Sequence, residues 1–166
     1  KAHQELSRTS SEGKFKGGLA GNSEIETRYH TATHLLNAAL KITVSKDIHE
    51  RGSNINEERM RFDFNCDHKL TDEEIKNTED LVNKWINEDL VVTKEEMSQE
   101  DAIKSGAECM FIEKYPDMVT VYSIGDVSKE LCGGPHVSHT KEIGKFKITK
   151  EESVSSGVRR IKAIIE

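Results

Sequence analysis

The stretch Arg59-Met60-Arg61-Phe62-Asp63-Phe64-Asn65-Cys66-Asp67-His68-Lys69-Leu70-Thr71-Asp72-Glu73-Glu74-Ile75 changes its period along its length. Met60, Phe62 and Phe64 alternate with Arg61 and Asp63, which predicts a half-buried strand from Arg59 to Phe64. Thr71 then has Glu74 three residues on, the pattern of a capping box. Ile75, Leu81, Val82, Trp85 and Ile86 follow at helical spacing, so an amphipathic helix is expected after the strand.

Upstream, Ser23 with Glu26 predicts another helix start, and Leu35, Leu36, Ala39, Leu40 and Val44 carry its apolar spacing towards an end near Lys46-Asp47. Arg51-Gly52-Ser53 reads as a turn. Downstream, a short strand is expected over Leu90–Thr93, and a small helix capped by Ser98 runs through Lys104 until Gly106 stops it. Met118–Ile124, Gly144–Lys150 (Phe146 and Ile148 inward) and Val158–Ile165 read as further strands. Helices and strands mix without a regular βαβ rhythm, which predicts an α+β fold with a largely antiparallel sheet packed with helices. Residues 1–23 are polar and carry Gly13, Gly17, Gly18 and Gly21, so they read as a linker or docking segment before a domain at 24–166. No internal repeat or low-complexity segment is visible.

A length of 166 residues suffices for one domain with its own core. The chain starts at Lys1, which suggests a piece of a longer protein. No apolar run approaches a membrane span, and no signal-peptide pattern opens the chain. The net charge of −6 argues against broad electrostatic binding of nucleic acid, with acidic residues concentrated between Asp67 and Asp101. Local basic clusters remain, from Lys14, Lys16, Arg51, Arg59, Arg61, Lys145, Lys147, Arg159, Arg160 and Lys162. Three cysteines without framework spacing suit a reduced, cytosolic compartment.

Two histidines, His30 and His34, lie one turn apart on the first helix, so both imidazoles share a face. Cys132 and His136 repeat that spacing across a Gly133-Gly134-Pro135 turn. A thiolate with two or three imidazoles is a ligand set that suits zinc. Four protein ligands would make a closed structural site, and three with water would make a catalytic one; spacing does not decide between them. His139 is a weaker substitute for His136. His3, His49 and His68 read as surface residues, and Cys66 and Cys109 as small apolar packing. Arg51-Gly52-Ser53 and Arg159-Arg160 read as loop and strand-surface charge, or as a phosphate or nucleic-acid-end contact if they flank the same cleft.

His30-Thr31-Ala32-Thr33-His34-Leu35-Leu36 resembles the first metal motif of the editing domain of alanyl-tRNA synthetase. Arg51-Gly52-Ser53, Arg61-Phe62-Asp63-Phe64, Cys132-Gly133-Gly134-Pro135-His136-Val137, Gly144-Lys145-Phe146-Lys147-Ile148 and Ser156-Gly157-Val158-Arg159-Arg160-Ile161 resemble its later blocks in the same order. Phe15-Lys16-Gly17-Gly18-Leu19-Ala20 resembles the segment leading into that domain. The resemblance covers nearly the whole chain. It implies an α+β domain of the threonyl and alanyl synthetase second-additional-domain type. It also implies zinc on His30, His34, Cys132 and His136, and hydrolysis of seryl and glycyl esters of tRNA(Ala) beside the remainder of a synthetase chain. By the same resemblance Thr33 faces the substrate's side chain. Glu50 stands where the family commonly has glutamine, and Pro135 where many alanyl enzymes have threonine. Cys-x-Gly-Pro-His also resembles the related threonyl editing domain, where the residue two before the cysteine is acidic, as Glu130 is.

The chemistry such a domain needs is cleavage of an activated ester by a positioned water, with backbone N–H groups near Gly133 and Gly134 to steady the oxyanion. Arg51, Ser53, Arg159 and Arg160 are the expected contacts to the tRNA 3′ end. The rival readings are a free-standing editing protein and a non-catalytic tRNA-binding module with structural zinc. A metalloprotease is disfavoured, because His-x-x-x-His lacks the intervening glutamate of a zincin.

Overall fold

The computed structural model describes residues 23–108 and 117–166. The segment expected as a linker, together with His3 and Cys109, lies outside the described residues apart from Ser23.

Helix α1 (Glu24–Thr43) starts where the sequence predicts: the Ser23 hydroxyl accepts the Glu26 N–H and the Glu26 carboxylate returns to Ser23. It stops at Thr43, a few residues short of the expected end. α1 is buried on almost every side, which makes it the central element rather than a surface helix. Buried polar side chains interrupt its apolar surface at Glu26, His30, Thr31, Thr33, His34 and Asn37. Six such groups on one helix need partners nearby.

Strands β1 (Glu50–Ile55) and β2 (Met60–Asn65) form a hairpin, where a turn was expected at Arg51-Gly52-Ser53. The polar Glu-Arg-Gly-Ser-Asn run hides an edge strand that lacks apolar alternation. With β6 (Phe146–Ser155) and β7 (Val158–Ile165) the hairpin builds a four-stranded antiparallel sheet in the order β1-β2-β7-β6. Opposing pairs Met60–Ala163 and Phe62–Ile161 are fully buried beneath α1, whereas Asp63 opposes Arg160 on the other face. Helix α2 (Asp72–Asn87), begun by the Thr71–Glu74 capping box, packs against α1 through Thr78, Val82, Trp85 and Ile86.

The remaining strands form a second sheet, so the expected single sheet is in fact two. β3 (Val92–Ser98), β4 (Met118–Ile124) and β5 (Ser128–Leu131) pair antiparallel in that order, with α3 (Gln99–Lys104) packed beside them. Only Ala102, Val119, Val121 and Leu131 form a buried cluster there among the described residues. β5 leads directly into Cys132, and a 3₁₀ turn (Thr140–Ile143) returns the chain to the larger sheet. Among the described residues no helix is long and apolar enough to cross a membrane.

Candidate metal centre

Where the second sheet meets α1, four ligand atoms from His30, His34, Cys132 and His136 lie within 4.8 Å of one another. The Cys132 sulfur is 3.3 Å from His30 Nε2 and 3.4 Å from His136 Nε2. Bond lengths for zinc imply a sulfur-to-nitrogen edge of about 3.6 Å in a tetrahedron, close to both. The His30 and His136 rings stack with centroids 4.2 Å apart, and His34 stands edge-on to each.

Each imidazole is held through its outer nitrogen. His30 Nδ1 donates to the Pro135 carbonyl at 2.9 Å. His34 Nδ1 pairs with the Glu130 carboxylate. The Thr31 hydroxyl donates to the Thr27 carbonyl and accepts the Val137 N–H, which leaves it to accept from His136 Nδ1 at 3.0 Å. All three rings therefore carry their proton on Nδ1 and turn a bare Nε2 inward, as metal-binding histidines require.

The charge balance agrees with that arrangement. Burial lowers the His30 pKa to about 4, and burial with the neighbouring His30 keeps His34 and His136 well below the ordinary value. The rings stay neutral and free to ligate. Burial pushes the Cys132 thiol up to about 12, against the pull of the Gly134 and Gly133 N–H groups, and the Glu50 charge adds to the rise. A cation between the four ligands reverses that preference and takes the thiolate. The donor set thus fits a zinc-like ion.

Behind the ligands lies a half-buried polar chain. Glu130 also accepts from Asn37 Nδ2 at 2.9 Å; the same amide reaches Glu108 at 2.7 Å, and Glu108 pairs with Lys41. One amide so separates two carboxylates that would otherwise repel. Sequence reading passed over Asn37, Thr31 and Glu108, and noted Glu130 only for its acidity. Asn37 was visible as a polar position one turn beyond His34 on the same helical face.

The other expected site residues are dispersed. Thr33 is buried, with its hydroxyl donating to Tyr29 O at 2.9 Å beside Met60. Glu50 on β1 is half-buried and close enough to the thiol to affect it; Ser53 Oγ lies 3.4 Å from its carboxylate. Burial above all, with help from Asp63, lifts the Glu50 carboxyl to about 7. The Gly134 N–H is aimed at the Cys132 sulfur, 3.4 Å away, and a side chain at Gly134 would collide with the Tyr122 ring. Arg51 is exposed on the edge strand. Arg160 grips Asp63 at 2.8 and 3.0 Å, while Arg159 grips Glu151 on the opposite face of β7. Neighbouring residues of a strand point to opposite sides, so the two arginines do not act on one group. His139 is also apart from the centre, paired with Asp89 at 2.7 Å.

Residues 119–162 match the family described as the threonyl and alanyl tRNA synthetase second additional domain. Over 166 residues the chain is 55% identical to an alanine–tRNA ligase of Treponema denticola, covering 100% of this chain and 28% of that protein. It is 51% identical to the Borrelia hermsii alanine–tRNA ligase over 99% of the chain and 28% of the relative. With the Thermotoga maritima alanine–tRNA ligase it shares 52% identity over 85% of the chain and 16% of the relative. The chain spans less than a third of the length of these relatives. It carries the second additional domain shared by threonyl and alanyl tRNA synthetases, and its helices and antiparallel sheets are an α+β fold.

Proposed function

We propose that this chain is the editing domain of an alanyl-tRNA synthetase and hydrolyses seryl- and glycyl-tRNA(Ala) at the His30–His34–Cys132–His136 centre. The observation that carries the reading is the inward convergence of three bare Nε2 atoms and one sulfur, with every outer nitrogen occupied. Zinc held there supplies a Lewis-acid charge for the substrate's amino group or for the attacking water.

The chain's own residues do the rest. Thr33 has spent its proton on Tyr29 O, so its hydroxyl oxygen is an acceptor; it takes the hydrogen of a seryl hydroxyl, whereas an alanyl methyl would leave that oxygen without the partner. Glu50, near neutral in charge balance and bridged to Ser53, receives the amino group or passes a proton beside it. Gly133 and Gly134 shape the tight turn at the sulfur, with Gly134 against Tyr122. Arg51 on β1 and Arg160 on β7 suit phosphates of the tRNA 3′ end, while Ser53, opposite Phe62 and against Glu50, offers its hydroxyl from the core-facing side. Arg159, gripped by Glu151 on the other face of β7, is left out of that contact. The parent synthetase supplies most of the tRNA affinity, since the domain is acidic.

A structural zinc without hydrolysis is the second reading, favoured by the burial of three ligands and by their position between two cores. Deacylation of seryl-, glycyl- and alanyl-tRNA(Ala), with and without a chelator, separates the two. Editing predicts cleavage of the first two alone, lost on chelation while circular dichroism keeps its helical signal. A folded, zinc-loaded chain that leaves every ester intact refutes it. In the same assay Thr33→Val lowers the seryl-to-alanyl ratio; an unchanged ratio removes Thr33 from substrate recognition.

A further inference from the structure

Away from the first centre, the turn between β2 and α2 gathers a second set of donors. The Cys66 sulfur, an Asp67 carboxylate oxygen and a His68 ring nitrogen lie within 4.8 Å of one another. The sulfur is 3.7 Å from His68 Nδ1, again close to the edge of about 3.6 Å that zinc bond lengths imply. Asp67 Oδ1 is 2.7 Å from the same nitrogen, a hydrogen-bond distance that opens by about half an ångström when a metal replaces the shared proton.

The far side of the ring repeats the design of the first centre. His68 Nε2 meets the Glu74 carboxylate at 3.0 and 3.1 Å, as His34 meets Glu130. Glu74 is itself fixed, because its carboxylate accepts the Thr71 N–H at 2.9 Å in the capping box. A carboxylate behind the imidazole sets the ring's orientation and strengthens it as a ligand. Beside the cluster opens a cavity of about 640 Å³ lined by Val44, Asp47, Asn65 and Gly157, with room for water in the remaining coordination positions.

We infer that Cys66, Asp67 and His68 form a second binding site for a zinc-class divalent cation, joining the end of β2 to the cap of α2. Thiolate, imidazole and carboxylate together select zinc, cobalt or nickel over magnesium or calcium. The site is solvent-open and has three protein ligands, so it loads after the buried four-ligand centre and releases its ion first.

The test is cobalt titration of the metal-stripped chain, followed by equilibrium dialysis and by thiolate-to-cobalt absorption. The wild-type chain takes two equivalents, and the absorption rises in two steps. Cys66→Ser and His68→Gln each take one equivalent and keep the first step; His68 is half-exposed, so its replacement leaves the fold intact. Saturation of the wild-type chain at a single equivalent overturns the site, as does a second equivalent that persists in the Cys66→Ser/His68→Gln double variant.

Discussion

The four-stranded sheet and the three-stranded sheet differ in what holds them. The first closes a continuous apolar core around α1, in which Tyr29, Leu35, Phe62, Phe64 and Phe146 are almost wholly removed from water. Among the described residues, the second has four buried apolar residues of its own. Ile124 of β4 reaches into the larger core, and the other ties to α1 are polar: Asn37 to Glu130 and Glu108, Thr31 to Val137, and the ligands themselves. A small sheet with little apolar burial gains most from a metal, because ligand bonds replace the missing core. The larger core positions His30 and His34 rigidly, and the smaller sheet brings Cys132 and His136 to them.

Substitution in the larger core breaks the comparison most severely. Phe62→Ala costs about 3–5 kcal/mol and lowers the denaturant midpoint of the whole chain, with or without metal. Val121→Ala in the smaller cluster has an effect that metal loading largely masks. Equal losses at the two sites would mean that the cores are not unequal after all.

Glu130→Gln keeps the shape but weakens the carboxylate behind His34. It reduces zinc affinity by about 10–100-fold, read by competition with a chelating dye, and leaves stability of the metal-free larger core in place. An unchanged affinity would remove Glu130 from the centre.

A smaller effect separates the metal-free and metal-loaded proteins by pH. Glu50 titrates near 4.5 when unfolded and near about 7 in the metal-free fold. Between those values the folded chain holds a proton that the unfolded chain has lost. Its contribution is therefore full below 4.5 and disappears as pH rises through about 7. Glu50→Gln flattens that decline in urea melts across the same window; a slope identical to wild type contradicts the assignment.

The smallest expected change is on the solvated face of α2. Lys76 pairs with Asp80 at 2.9 Å, but both are exposed, so Lys76→Ala leaves the urea midpoint essentially unchanged. A larger loss would show that the acidic helix contributes more than packing through Val82 and Trp85.

Much of this was legible in residue order. The two capping boxes, the alternation of Met60, Phe62 and Phe64, and the paired spacings of the four ligands are local signals, and local signals survive reading one residue at a time. The partition into two sheets is a property of pairings far apart in the chain, so the separate register of β3, β4 and β5 left no mark. β1 was missed because an edge strand with one buried residue need not alternate. Arg159 and Arg160 were grouped by adjacency, although strand geometry alone sends them to opposite faces. The partners behind the ligands, Glu130 above all, became visible only when α1 and β5 were brought together.

X-ray absorption at the zinc edge of the Cys66→Ser chain, loaded with one equivalent, tests the central claim most directly. A shell with one sulfur near about 2.3 Å and nitrogens near about 2.0–2.1 Å is the predicted result for Cys132 with His30, His34 and His136. A shell of oxygens and nitrogens without sulfur would contradict it.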